Sequence, residues 1–300
     1  MELIVQSQLG MTAAGLLLGS ILGSFLNVCA HRIPIGLSMI SPPSFCPQCK
    51  ARIPWKNNLP ILSWLIQKGQ AKCCGEPISS RYLFVEVVTA LLFGYFFHRY
   101  FQNHDLAELC VGCFLGWVLL AVIVIDAETM MIPDRFSMGG ALAGLVFSVI
   151  FPSLHGYGYF PLPEERILSV IDALIGLLVG SSVMYWIGAA AEKALGKEAL
   201  GQGDVKLMGC IGAFCGWEAA VFIIFAGSSI GTALVIPFMV FQNLKKKSAK
   251  QNPPENQIPW GREIPFGPYL AIATLLYLGG LNLWVDPWIK GVLAIIGKSY

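Results

Sequence analysis

Two short segments carry carboxylates where an apolar chain has little reason to place them. Residues 125–134, Ile-Asp-Ala-Glu-Thr-Met-Met-Ile-Pro-Asp, close one long apolar run, and residues 200–207, Leu-Gly-Gln-Gly-Asp-Val-Lys-Leu, open another. An ionisable side chain beside hydrocarbon is costly and marks a functional candidate. Two carboxyls near contact do not both ionise easily; they share a proton, and one acts as base on a water while the other polarises a carbonyl. That is the chemistry of peptide-bond hydrolysis without a metal or a covalent intermediate. Asp126 and Asp204 are the candidate pair, with Asp134 a competitor for the first place. A plainer reading of the same residues stays open: Asp204 caps a helix start, and Asp126 ends a span in interfacial water.

Neighbouring residues refine the expectation. Gly201 and Gly203 are expected to permit unusual backbone angles and the close approach of another segment. Asp126 falls near a helix C-terminus and Asp204 near an N-terminus, and this helix position alone biases the shared proton toward Asp126. Pro265-Phe266-Gly267-Pro268 either leaves backbone groups that an extended substrate strand can pair with or starts a helix.

The elements that must position these acids follow from composition. The 300 residues are 55% hydrophobic and only 13% charged, and the mean hydropathy is +0.65. A soluble domain needs far more charge to cover its surface. Runs of about 18–22 apolar residues each suffice for a bilayer-crossing helix. The fold expected is an all-α polytopic membrane protein with about eight transmembrane helices, near 8–30, 82–102, 107–126, 135–153, 168–190, 204–217, 218–241 and 265–283. The sixth is short and Gly-rich, and 285–297 is too interrupted to assign. The start lacks the basic n-region and cleavage site of a signal peptide, so 1–30 reads as a retained first helix. Residues 31–81 form a small cytosolic cysteine-containing insert, and 82–300 the membrane-embedded core. With the N-terminus outside, 16 of the 20 Lys and Arg fall in cytoplasmic loops, as the positive-inside rule requires. Both candidate acids then lie at the cytoplasmic edge. The basic loop 245–262 is a topology anchor suited to lipid head groups, and nothing beside it suggests nucleic-acid binding.

The insert carries Cys46-Pro-Gln-Cys49 and, later, Cys73-Cys74-Gly75. Four thiolates from two loops suit a structural tetrahedral zinc site, and a piece this small gains from a metal staple. Adjacent cysteines, however, chelate one ion awkwardly, so a metal-free knuckle is the alternative. The remaining cysteines read as apolar packing, and none of the four histidines has an evident partner.

Taken together, the motifs resemble the type 4 prepilin peptidases, within the GxGD aspartyl proteases. The resemblance rests on Gly201-Gln-Gly-Asp204, on Asp126 with Ile132-Pro-Asp134, on Gly23-Ser-Phe-Leu-Asn-Val28 with His31-Arg-Ile-Pro34, on Leu59-Pro-Ile-Leu-Ser-Trp64, on Arg81-Tyr82 with Glu86, and on residues 265–273. It implies that Asp126 and Asp204 are catalytic, Asp134 accessory, and Gly201, Gly203 and Pro265–Pro268 supporting. It also implies an inner-membrane enzyme that cleaves basic leaders from type IV prepilins and type II secretion pseudopilins. N-methylation from S-adenosylmethionine follows in many members. The sequence departs from the family pattern at Ala71, where a cysteine is expected, and at Leu83, where proline is usual. The competing readings are a peptidase that has lost methylation, a proton-coupled transporter, and a non-enzymatic assembly factor.

Overall fold

The computed structural model describes residues 2–41, 43–158, 162–197, 200–248 and 265–295. The basic loop expected at 245–262 lies outside the described residues from position 249 on. Among the described residues there is no β-strand, only two isolated bridges in the cysteine insert. Among the described residues nine α-helices run as α1 (Glu2–Arg32), α2 (Leu62–Ile66), α3 (Ser80–Asn103), α4 (Leu106–Thr129), α5 (Asp134–Ile150), α6 (Pro163–Leu195), α7 (Gln202–Ser248), α8 (Gly267–Leu276) and α9 (Asn282–Ile295). Among the described residues six helical stretches are long and apolar enough to cross a membrane: 7–32, 80–103, 106–129, 163–195, 202–241 and 267–292. The chain is thus a multi-pass membrane protein. The chain divides into two compact units, residues 1–125 and 126–300.

The first unit is organised by a stripe of small residues. A Cβ at Gly15, Gly19 or Gly23 of α1 would lie 2.6–2.8 Å from atoms of Phe93, Thr89 and Glu86 on α3. Glycine at every fourth position lets two helix backbones approach where apolar lipid gives no hydrophobic drive to pair them. Helix α3 opens on Ser79, whose side chain accepts from the Arg81 N–H, and ends at His104, left-handed with φ 55°.

In the second unit α6 begins with Pro163 in its first turn, and Glu165 accepts from the Leu162 N–H at 2.9 Å. It ends on Gly196 at φ 68°. Helix α7 is interrupted at Gly216, with φ 81° and ψ 169°. Gly180 of α6 lies against both Met208 and Ala220. Those two residues would be about 18 Å apart along a continuous helix, so the chain folds back at Gly216 and α7 is a hairpin of two limbs. Its first limb, 202–215, holds 14 residues and spans about 21 Å. That is short of the roughly 30 Å hydrocarbon core. The limb is almost wholly buried from Leu207 to Phe214.

The figure of about eight spans is approximate. It is reached when the two limbs of α7 are counted separately and the 17-residue α5 is included. The last apolar stretch runs beyond the expected 283, because a π-turn at Tyr277–Leu281 joins α8 to α9. The segment 285–297, left unassigned from sequence, belongs largely to α9.

Candidate active site

The second unit gathers one carboxylate from each acidic segment. Helix α4 runs out at Thr129, where Met130 turns left-handed at φ 53° and donates its N–H to the Asp126 carbonyl at 2.9 Å. Pro133 then precedes α5. This sharp stop fixes Asp126 in the last turn of α4, 4% exposed. On the other side α7 starts at Gln202, which makes Gly201 its N-cap and Asp204 its third residue. The Gly201 N–H donates back to the Asp204 side chain, the acidic half of a capping box. Asp204 is therefore not the N-cap but the residue that reaches back to it, and it is 7% exposed.

A third segment completes the place. The Gly267 N–H, one of the unpaired amides at the start of α8, donates to the Asp126 carboxylate. A Cβ on Gly267 would sit 2.6 Å from Asp126 Oδ2 and 2.8 Å from Ile132 Cδ1. The same Ile132 lies 3.0 Å from where a Cβ would stand on Gly203. Ile132 thus fills the space between Gly203 and Gly267. The Asp204 carboxylate lies within the field of Asp126, and its Oδ1 is buried with no hydrogen-bond partner among the described residues. A buried acceptor without a donor is costly, and a shared proton or a water would supply the donor.

Several expectations change in detail. Gly203 serves close approach, as expected, but neither Gly201 nor Gly203 has the positive φ that unusual angles would require. Pro268 sits at the start of α8 and the Phe266 carbonyl accepts from the Tyr269 and Leu270 N–H groups, so the segment starts a helix. Pro265 and Phe266 precede it, half-buried. Asp134 stands apart from the pair: its carboxylate is 60% exposed and accepts from Lys206 Nζ at 2.7 Å. Asp126 lies at the end of α4 but also faces the start of α8. The two helix dipoles oppose one another there, so helix position does not assign the shared proton to either acid. The Gly267 amide escaped the sequence reading, although a glycine between two prolines at a helix start leaves it as the available donor.

The cysteine insert, in the first unit, forms two matched hairpins. Cys46 N–H bonds to Ala51 and Lys50 N–H back to Cys46; Ala71 N–H bonds to Glu76 and Gly75 N–H back to Ala71. Ala71 thus occupies the position of Cys46, and Cys74 that of Cys49. The missing sulfur is supplied by Cys73, and all four Sγ atoms lie within 4.8 Å of one another. The pairs Cys46–Cys74, Cys49–Cys73 and Cys73–Cys74 are 3.8, 3.4 and 3.9 Å apart. Sulfurs about 2.3 Å from a tetrahedral zinc stand about 3.8 Å apart, so the four fit the ion, and the adjacent pair converges rather than diverging. Backbone N–H groups of Cys49 and Gln48 bring the Cys46 thiol down to about 7. Cys73, hydrogen-bonded to Cys49 among the other sulfurs, is pushed up to about 12. A cation is what would deprotonate the remaining thiols.

Histidines do have partners among the described residues. His155 Nδ1 is 3.1 Å from Ser169 Oγ, beside a Tyr157 hydroxyl that donates to Asp172 at 2.8 Å. His98 lies within 3.4 Å of Gln8 and Thr12.

Residues 17–100 match the Bacterial Peptidase A24 N-terminal domain, and residues 113–236 match the Type IV leader peptidase family. A prepilin leader peptidase/N-methyltransferase of Klebsiella pneumoniae is 39% identical over 207 residues, covering 67% of this chain and 83% of that protein. The protein of the same name in Aeromonas hydrophila is 32% identical over 292 residues, 88% of each chain. That of Pseudomonas aeruginosa is 29% identical over 321 residues, 99% of this chain and 98% of the relative. No solved structure matches the chain.

Proposed function

The chain belongs to the type IV leader peptidase family, and from that membership we propose that it cleaves the basic leader from prepilins and pseudopilins and then methylates the new N-terminus. Asp126 and Asp204 are the catalytic acids of this reading. The observation that carries it is their burial in one site, with the Gly267 N–H on Asp126 and an unpaired oxygen on Asp204.

The pair holds one proton between its carboxyls. The ionised oxygen takes a proton from water as that water attacks the scissile carbonyl, and the protonated carboxyl donates toward the carbonyl oxygen. The proton taken from water then passes to the leaving amine. Gly203 and Ile132 keep the space around the pair small, and the Gly267 amide holds Asp126 in place. Asp134 and Lys206 form a rim ion pair, and Pro265 and Phe266 line the approach. A bacterial inner-membrane location with the N-terminus outside puts this face in the cytosol, where basic leaders remain. The 16 basic residues of the loops so assigned support it.

Methyl transfer belongs with the cysteine insert. Cys46, Cys49, Cys73 and Cys74 would hold a structural zinc, which staples the two hairpins. S-adenosylmethionine supplies the methyl group. The spacing of the four sulfurs supports this arrangement despite Ala71.

The test is a mass spectrum of a prepilin co-expressed with wild type, Asp126→Ala or Asp204→Ala. A leader-length loss of mass with wild type alone is expected, followed by a shift of one methyl group. Cleavage by either variant would remove that acid from the mechanism. Cleavage without the methyl shift would leave a peptidase only.

A further inference from the structure

The first unit contains a cavity of about 400 Å³ between the inner end of α1, the start of α3 and the cysteine hairpins. The size is that of a small-molecule site. None of the proposed protease residues lines it. Its walls carry an unusual set of polar groups for so apolar a protein. Asn27 is 3% exposed; its Nδ2 donates to the Tyr82 carbonyl at 3.1 Å, and its Oδ1 is buried with no donor among the described residues. Glu86 is 9% exposed, and its Oε2 accepts from the Ile61 N–H at 2.6 Å. Ser24 donates to the same carboxylate. Arg32, 5% exposed, stands on the same wall and donates to the Ser38 carbonyl at 2.9 Å. Trp64 and Tyr82 contribute ring surface.

The backbone is strained where it meets this acid. Ile61 is β-branched yet sits at φ 62° and ψ −54°, a conformation such residues rarely adopt. Strain of that kind persists only where surroundings impose it, commonly at a ligand site. Here the Glu86 carboxylate holds the Ile61 amide.

We propose that this cavity is the S-adenosylmethionine site. The proposal rests on the methyltransferase reading and deepens it by naming the residues. The co-substrate is a cation at sulfur, a zwitterion at its amino-acid end and an aromatic amine at its adenine. Glu86 answers a positive charge, Arg32 a carboxylate, and the aromatic faces a cation or a base. The Asn27 oxygen accepts from an adenine amino group or from the ammonium. Cys46 and Cys73 also line the cavity, which gives the cysteine cluster a reason to matter for methylation: it fixes one wall of the pocket.

The experiment is equilibrium dialysis of tritiated S-adenosylmethionine against the detergent-solubilised full chain, comparing wild type with Glu86→Gln and Asn27→Leu. Gel filtration and thermal midpoints report folding. Glu86→Gln keeps the shape and the bond to Ile61 but removes the charge. It is expected to weaken binding by at least about tenfold, the effect of losing one charge-assisted hydrogen bond. Asn27→Leu is expected to weaken it too. Ultraviolet labelling of the wild type should mark peptides from 24–32 or 44–86, which decides the matter even if a variant fails to fold. Folded variants that bind as tightly as wild type, or a label confined to residues 126–300, would overturn the assignment while leaving the methyltransferase intact. A wild type that neither binds the co-substrate nor methylates a co-expressed prepilin would overturn both.

Discussion

Replacing Gly267 by alanine tests the site where its geometry is tightest. The added Cβ would stand 2.6 Å from Asp126 Oδ2 and 2.8 Å from Ile132 Cδ1, against 3.4 Å for an ordinary contact. One or both groups must therefore retreat by about 0.6–0.8 Å. The carboxylate oxygen is the nearer of the two, so the larger share of the movement falls on it. A displacement near 1 Å of a reacting group costs about 100-fold in rate, or about 2.7 kcal/mol of transition-state stabilisation. Stability should change far less, since alanine is a better helix residue than glycine by about 1 kcal/mol. The assay is steady-state cleavage of a purified prepilin by the solubilised enzyme, with kcat and KM resolved. A fall in kcat of about 30- to 100-fold with KM nearly constant is expected. Gly139→Ala on α5 is the control, because nothing lies within 4 Å of its would-be Cβ; it should cleave as wild type does. Cleavage by Gly267→Ala within twofold of wild type would refute the idea that this contact positions Asp126.

Three further outcomes follow from other parts of the structure. Gly176→Ala would drive a methyl group into the Gly212 carbonyl; overpacking of this kind costs about 1–3 kcal/mol, to be read as a lowered thermal midpoint, and an unchanged midpoint would contradict the close packing of α6 on α7. Cys73→Ala should reduce bound zinc, measured by mass spectrometry of the metal after dialysis, more than Lys72→Ala does, and equal metal contents would remove Cys73 from the ligand set. Burial lowers the pKa of His155 below the ordinary histidine value. The unfolded chain therefore binds a proton that the folded chain resists. Stability is full above about pH 6.5 and falls as pH drops through that value toward the folded constant. His155→Gln should flatten the decline of thermal midpoint with acid, and an unaltered slope would show that other groups set it.

The sequence reveals the acids because they stand out against hydrocarbon: Asp126 and Asp204 are conspicuous in runs of Val, Ile and Leu, and their flanking glycines mark where segments approach. The spans are legible for the same reason, to within the uncertainty of whether a short, Gly-rich limb counts as a crossing. What one-dimensional reading misses is what depends on a partner. The Gly15, Gly19 and Gly23 stripe has meaning only opposite Phe93, Thr89 and Glu86. The reversal at Gly216, by contrast, falls where the sequence already separates the spans 204–217 and 218–241, beside Glu218. The Gly267 amide becomes a donor only when α8 begins beside Asp126. Helix position likewise suggested one owner for the shared proton, and a second helix end facing Asp126 removed that basis.

The two cysteine hairpins carry a lesson about how such a site can drift. Sulfur enters the cluster from Cys73, two residues beyond Ala71, which is the mate of Cys46 by backbone pairing. Ala71, Cys73 and Cys46 all line the same cavity. A chain bearing cysteine at both positions 71 and 73 would have five thiols for four ligand places. Chelation can therefore migrate along a loop without an intermediate that lacks it, and a search for two regularly spaced cysteine pairs would pass over this chain although its four sulfurs converge.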